Sequence, residues 1–356
     1  MRAIGLDPGT AFLQVAEKDG KDINIKTIRN AFVELIESED MEDIENILKK
    51  NNWQYIRDGK SFFVCGEDSI KISRMFPAIE IRRPMQSGIL NKNEKKNMLI
   101  MASLVENALG GKNLDDNSLV CFCVSSESID TEIDSIFHRS RLESMIKRLN
   151  YKVKCIPEAL AVILSEKPEI VEKDGSVSPY SGIGISAGAG KVNCMLAYKG
   201  LPILAFSSSK SGDFVDKKVA EQTDATLGQV IYSKENKLDF NNIDYQDDII
   251  FALDAYYSNM IEYTFKNFAK KFKKVKSQFE TPLDIVLAGG TSMPNGFENK
   301  VRKVVQELDL PFEVKEIRKS KDPRNSVVKG LLIQAIISQK KMENDKVNKI
   351  DEMLED

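Results

Sequence analysis

The sequence predicts a duplicated α/β protein of two domains, each carrying a small subdomain insertion. Three observations carry that expectation. A glycine turn at Leu6-Asp7-Pro8-Gly9-Thr10 follows a short apolar start, and another at Ile185-Ser186-Ala187-Gly188-Ala189-Gly190 lies in the second half of the chain. Each turn is flanked by strand-like residues and followed by a further turn, Lys18-Asp19-Gly20 and Tyr198-Lys199-Gly200. The segments after Ser118 and after Asp284 then alternate apolar strand and amphipathic helix, the pattern of parallel strands covered by helices. We read the turns as two glycine loops on related halves, facing one another across a cleft.

The first half opens as a meander. Ala3–Leu6 is a short buried strand, Phe12–Ala16 a second, and Ile23, Ile25 and Ile28 mark a third. Residues 30–80 differ in character: an acidic-then-basic helix over Glu37–Asn51 and short strands at Trp53–Ile56 and Ser61–Gly66, around Asp58-Gly59, read as an insertion. A helix from Asn93 to Leu109 stops at Gly110-Gly111. Strand Ser118–Ser125, helix Thr131–Leu149, strand Lys152–Ile156 and helix Pro157–Glu166 complete this half.

The second half repeats the order. Gly182–Ser186, Val192–Tyr198 and Leu201–Ser208 form a meander, an insertion spans 212–247, and strand Asp284–Ala288 leads to helix Pro294–Leu308. Strand Phe312–Ile317 and a helix near Ser326–Ser338 close it. Aligning Asp7 with Ser186 puts Gly9 on Gly188 and Val15 on Cys194 without gaps. The domain expectation is therefore 1–160 with about 336–350 as domain I (insertion about 30–80) and 161–335 as domain II (insertion about 212–247). Residues 340–356 form a charged tail, read as a solvated or frayed helix.

Composition narrows the function. At 356 residues the chain exceeds a comfortable single core. A net charge of −3 gives no global pull toward nucleic acid or an anionic membrane. No apolar run is long enough to span a bilayer, and a chain that enters a strand at once leaves no room for a signal peptide. A cytoplasmic location is expected. The five cysteines form no CxxC pair and read as buried reduced thiols. The only histidine, His138, sits in the polar run Phe137-His138-Arg139-Ser140 and reads as a surface helix residue.

The glycine loops suit an anion, because backbone N–H groups approach it without side chains in the way. Thr10 adds a hydroxyl and Lys191 a charge. Asp7, beside phosphates, asks for a cation, and Mg²⁺ is one that takes one or two carboxylates and keeps its waters. The loops are not a Walker A motif, and there is no GxGxxG between strand and helix. A third site, Ala288-Gly289-Gly290-Thr291-Ser292-Met293, runs from strand to helix and lets a flat ligand lie on backbone.

Together GLDPGTA at 5–11, ISAGAGKVN at 185–193, VLAGGTSMPNGF at 286–297, IPEALAV at 156–162 and DPRNSVVKG at 322–330 resemble the actin-like ATPase superfamily, whose fold is a duplicated ribonuclease-H-like one. RRPMQSGIL at 82–90 and SGDFVDKKV at 211–219 are most similar to bacterial filament-forming actins of the MreB and MamK type. The resemblance implies that Asp7, Gly9, Thr10 and Ala11 form one phosphate loop and Gly188, Ala189, Gly190 and Lys191 the other. It implies that Gly212 and Asp213 join the nucleotide site, that Gly289, Gly290, Thr291 and Met293 flank adenine and ribose, and that Lys234-Glu235 cover the adenine. Asp7 would hold Mg²⁺ through water, and Glu158 would orient the attacking water.

Two departures bear on turnover. Ser186 stands where the family usually has a second Asp, and Pro157-Glu158 reverses the usual Glu-Pro. The function implied is a cytoskeletal ATPase that polymerises head to tail, a heterologous contact that need not close. A sugar-kinase-type phosphotransferase, a chaperone-type nucleotide switch and a scaffold without turnover remain alternatives. Phe265, Phe268, Phe272, Val275 and Phe279, with Lys266, Lys270, Lys271, Lys273, Lys274 and Lys276 around them, would suit an anionic membrane as a free helix. A docked helix is the favoured reading.

Overall fold

The computed structural model describes residues 2–37, 44–76, 78–115, 117–132, 135–166, 169–171, 177–275 and 282–355. It divides into two compact units: Met1–Phe122, Ile136–Lys154 and Ala335–Asp356 form the first, Cys123–Ser135 and Cys155–Gln334 the second.

In the first unit β1 (Ala3–Pro8), β2 (Phe12–Asp19) and β3 (Asp22–Arg29) form the expected antiparallel meander. A strand the periodicity does not announce, β4 (Phe32–Ile36), then starts the insertion. Helix α1 (Ile44–Lys50), β5 (Tyr55–Asp58), β6 (Ser61–Cys65) and α2 (Glu67–Met75) follow, the strands ordered β4-β6-β5. Val33, Leu35, Ile44, Leu48, Phe62, Val64 and Ile72 give this insertion a small core of its own. The expected helix over Glu37–Asn51 is described only from Ile44; residues 38–43 lie outside the described residues.

Arg82 fastens the insertion to the chain that leaves it. Phe32 and Arg82 exchange both backbone hydrogen bonds at 2.9 Å. The guanidinium donates to both oxygens of Glu94 at 2.8 Å and to Glu34 at 2.6 Å. That fork holds the Glu94 carboxyl below the usual carboxylate range. A hairpin of β7 (Met85–Gln86) and β8 (Ile89–Leu90) follows, then α3 (Asn97–Leu109), ended by Gly110 in the left-handed conformation. Next come β9 (Leu119–Val124), parallel to β1, α4 (Ser135–Arg148) and β10 (Lys152–Pro157). The sheet order is β10-β9-β1-β2-β3.

Helix α5 (Glu158–Ser165) belongs to the second unit, as does the small pair β11 (Glu169–Val171) and β12 (Val177–Pro179). The second meander is β13 (Gly182–Ala187), β14 (Val192–Tyr198) and β15 (Leu201–Ser208). Helices α6 (Gly212–Thr223) and α7 (Leu227–Asn236) form the insertion, α7 started by a capping box of Thr226 and Gln229. The long α8 (Asp248–Val275) precedes β16 (Leu283–Ala288), a 3-10 turn at Gly290–Ser292, α9 (Phe297–Gln306) and β17 (Val314–Lys319). Helix α10 (Ser326–Glu355) continues through the stretch read as a charged tail. The sheet order is β15-β14-β13-β16-β17.

Read outward from the meander, both sheets have the same order: third, second and first strand, then two further strands, the nearer of them parallel to the first. Their registers agree as well. Leu6 pairs with Val15 and Asp7 with Gln14; Ile185 pairs with Cys194 and Ser186 with Asn193. Leu6 lies opposite Phe122 on β9 as Ile185 lies opposite Leu287 on β16. The duplication read from the order of elements is thus matched in hydrogen-bond register.

Phe265, Phe268 and Phe272 are buried in the core of the second unit, whereas Lys266, Lys270, Lys273 and Lys274 face solvent. The docked reading therefore holds for these rings; Lys276 and Phe279 lie outside the described residues. Among the described residues no helix is long and apolar enough to cross a membrane. His138 corrects the surface reading: it is 2 % exposed, on the face of α4 that buries Leu142, Met145 and Ile146. The described part of the Thr131–Leu149 helix starts at Ser135.

Candidate functional site

The first glycine loop is shaped by a residue that sequence reasoning missed. Asn30, at the end of β3 and 0 % exposed, donates its side-chain amide to the Gly9 carbonyl at 2.8 Å and its backbone N–H to the Ala11 carbonyl at 3.0 Å. Both bonds reach back 19 to 21 positions, so no local pattern signals them. Thr10 is buried and its Oγ1 accepts the Gly88 N–H at 3.1 Å. The hairpin carrying Gly88 is held in turn by His138, whose Nδ1 accepts the Leu90 N–H at 3.3 Å. Burial pushes the His138 imidazole down to about 4.

The second loop has its carbonyls engaged. Gly188 accepts from the Thr291 hydroxyl at 2.9 Å and the Gly212 N–H at 3.1 Å. Ala189 accepts from the Asp213 N–H at 2.8 Å and the Ser211 hydroxyl at 2.6 Å. The start of α6 and the third glycine site therefore both grip this loop, which brings Gly188, Ala189, Gly212, Asp213 and Thr291 together. Lys191 is buried, and its ammonium donates to Ser128 Oγ at 2.7 Å and Thr131 Oγ1 at 3.0 Å. Burial lowers this amine, with the charge of Asp130 pulling the other way.

At the third site Gly289 takes φ +93°, and a Cβ there would lie 2.3 Å from the Ala187 carbonyl oxygen, so only glycine fits beside β13. Its N–H donates to the Pro323 carbonyl at 2.8 Å. Gly290 and Met293 are exposed and Thr291 is buried, its carbonyl held by the Tyr257 hydroxyl at 3.1 Å. Lys234 is paired with buried Asp216 at 2.5 Å, while Glu235 faces solvent. Burial holds the Asp216 carboxyl above the usual carboxylate range although Lys234 draws it down. Sequence reasoning named Lys234 and Glu235 but not Asp216.

Glu158 opens α5, with Pro157 in extended conformation just before it. Its carboxylate accepts from Ser186 Oγ at 2.7 Å and from Asn193 Nδ2 at 2.8 Å. On the other side of α5 lies α10, close enough that a Cβ on Gly330 would fall 1.8 Å from the Ala161 carbonyl oxygen. The helix carrying Glu158 is thereby held tightly within the second unit.

A cation at Asp7 is a matter of donor chemistry. Among the described residues no group of three or more His, Cys, Asp or Glu gathers as a metal cage. Asp7 Oδ1 sits 3.8 Å from where a Cβ on Gly9 would be, so one carboxylate oxygen lies over the first loop. A single carboxylate at this loop fits Mg²⁺, which keeps most of its waters, and does not fit a metal that needs an all-protein cage.

A five-stranded sheet built twice on one register, each with a glycine turn between its first two strands, is the actin-like fold of the MreB and MamK type. The solved structures with this architecture include "MamK double helical filament", at 15 % identity over 93 % of this chain and 98 % of that one, TM-score 0.59. MreB 5 of Spiroplasma citri bound to AMPPNP matches at 14 % identity over 96 % of this chain and 98 % of that one, TM-score 0.65. The same protein bound to ADP gives TM-score 0.63 at 14 % identity over the same shares. A comparison with curated proteins finds no match. The Volactin family model matches residues 1–335, and the chain belongs to that family.

Proposed function

We propose that this chain is an actin-like cytoskeletal protein that binds ATP with Mg²⁺, hydrolyses it and polymerises head to tail. The observation that carries the reading is the pair of glycine turns set in matching registers at the ends of the first strand of each sheet. Support comes from relatives in fold: one is described as a double-helical filament, another as bound to AMPPNP and to ADP.

In this reading Asp7, Gly9, Thr10 and Ala11 form one phosphate-binding turn and Gly188, Ala189, Gly190 and Lys191 another. Backbone N–H groups of the turns and the Thr10 hydroxyl donate to phosphate oxygens, and the Lys191 ammonium adds positive charge. Gly212, Asp213, Gly289, Gly290, Thr291 and Met293, with Lys234 and Glu235, take the nucleoside. Asp7 would hold Mg²⁺ through water, and the ion would supply neutralisation of the phosphate charge. Glu158 orients the attacking water by accepting a hydrogen bond from it. Location in the cytoplasm follows from the cytoskeletal role.

Electron microscopy and pelleting with and without Mg-ATP test the polymer, and phosphate release tests turnover. We expect filaments with nucleotide and a rise in melting temperature, since ligand at a hundred times its Kd stabilises by ~2.7 kcal/mol. A rise in melting temperature with no pelleting would remove the filament, and phosphate transfer to a sugar would favour the phosphotransferase. No rise at all would remove the nucleotide site.

A further inference from the structure

The two hairpins agree in register but not in chemistry. Position 7, at the end of the first central strand, carries its own carboxylate; the matching position 186 carries a hydroxyl. Their cross-strand partners are both amides, Gln14 and Asn193, but they are used differently. Gln14 Nε2 donates along the sheet to Thr27 Oγ1 at 3.2 Å, whereas Asn193 Nδ2 turns to Glu158.

The orientation of Asn193 is not arbitrary. Its Oδ1 accepts the Ser126 backbone N–H at 3.1 Å, so the amide cannot flip without setting two donors against each other. Ser186 is 1 % exposed and Asn193 0 %, so both donors are buried and require an acceptor. They deliver one hydrogen bond to each oxygen of Glu158. Two donors from the sheet, one on each oxygen, fix the plane of the carboxylate.

We propose that Ser186 and Asn193 are positioning residues that fix the Glu158 carboxylate at the end of β13, so that in the second half a helix supplies the acid that the first half carries on its strand. The carboxylate that position 7 carries and position 186 does not is thereby supplied beside Ser186 by α5. This rests on the ATP-hydrolysing reading above. A positioned acceptor orients water better than a mobile one, and the effect falls on kcat rather than on binding.

The test is phosphate release by the full chain, with kcat, KM and pH profile measured beside the melting temperature of each variant. Asn193→Ala and Ser186→Ala should lower kcat by about tenfold to a hundredfold with KM changed less than about twofold. Asn193→Asp sets a second carboxylate against Glu158, and the acid limb of the pH profile should move to higher pH. Glu158→Gln should lose release, and adding Ser186→Asp should return at least about tenfold of it by restoring an acid at the same place. If the wild type releases phosphate while the Ala variants keep its kcat, or the double variant is no better than Glu158→Gln, the positioning role is overturned and the ATPase reading stands. If the wild type binds Mg-ATP without releasing phosphate, the ATPase reading is overturned and this role falls with it.

Discussion

Lowering the pH from about 7.5 to about 4.5 should destabilise the first unit through one imidazole. His138 is buried under the hairpin, and its Nδ1 is the acceptor for the Leu90 N–H. Protonation would charge a buried ring and turn that acceptor into a donor. Burial therefore lowers the folded-state value from 6.5 to about 4. The unfolded chain takes up a proton below 6.5 while the native state refuses it until about 4. The contribution is thus fully present above the unfolded value and is lost as pH falls through this window. At ~1.4 kcal/mol per unit the loss is ~3 kcal/mol, a large part of the 5–15 kcal/mol typical of a domain. The assay is urea unfolding at several pH values for the wild type and His138→Gln, whose carboxylates titrate alike, so that the difference isolates the imidazole. Because the chain has one histidine, its ring protons also report protonation directly by NMR. We expect the ring to stay neutral to about pH 5 and the variant to lack the extra loss. A ring titrating near 6.5 would refute the reasoning. Since the same hairpin carries Gly88, the donor to Thr10, the shift in Tm on adding Mg-ATP should shrink over the same window.

Two other outcomes follow. Gly330→Ala should destabilise by about 1–3 kcal/mol in urea unfolding, because its Cβ would fall 1.8 Å from the Ala161 carbonyl oxygen. Helix propensity alone predicts a gain of up to ~1 kcal/mol, so the sign decides whether α10 and α5 are in contact at this point. Asn30→Ala removes the amide bond to the Gly9 carbonyl and should cost about 1 kcal/mol in stability while raising KM for ATP, measured by phosphate release; an unchanged KM would show that the loop keeps its shape without it.

The meanders, the glycine turns and the parallel strands were legible because each is a local pattern: alternation, an apolar run, a turn residue. What was not legible depends on distant partners. Lys191 stands beside three small residues, but the hydroxyls that hold its ammonium, at 128 and 131, lie some sixty positions upstream. Asn193 looks like a polar interruption in a strand until Glu158 and Ser126 are placed on either side of it. His138 could have been found. It lies four residues before Leu142 and seven before Met145, on one helical face, and the polar neighbours Arg139 and Ser140 belong to the other. Strand β4 was missed because Phe32–Ile36 is short and runs straight into the insertion, where its partners are β6 and Arg82 rather than the meander.

Why register outlives chemistry in this chain has a physical answer. With β13 held by β16, a slip of one residue would turn β14 over, taking Cys194 out of the core and setting Asn193 on the opposite face, so the pairing is held by burial. At the end of the strand the constraint is of another kind: the buried polar groups there need a partner, and more than one element can supply it. A carboxylate can reach that point from the strand, as Asp7 does, or from a helix terminus held against the sheet, as Glu158 does through Ser186 and Asn193. The second arrangement needs more partners and a fixed helix, and the contact of Gly330 with Ala161 meets that need from the far side of α5. Relaxing the helix contact should therefore disturb the acid as well as the fold: in Gly330→Ala, kcat for phosphate release should fall more than the loss of folded protein explains, and a fall that only tracks the folded fraction would separate the two.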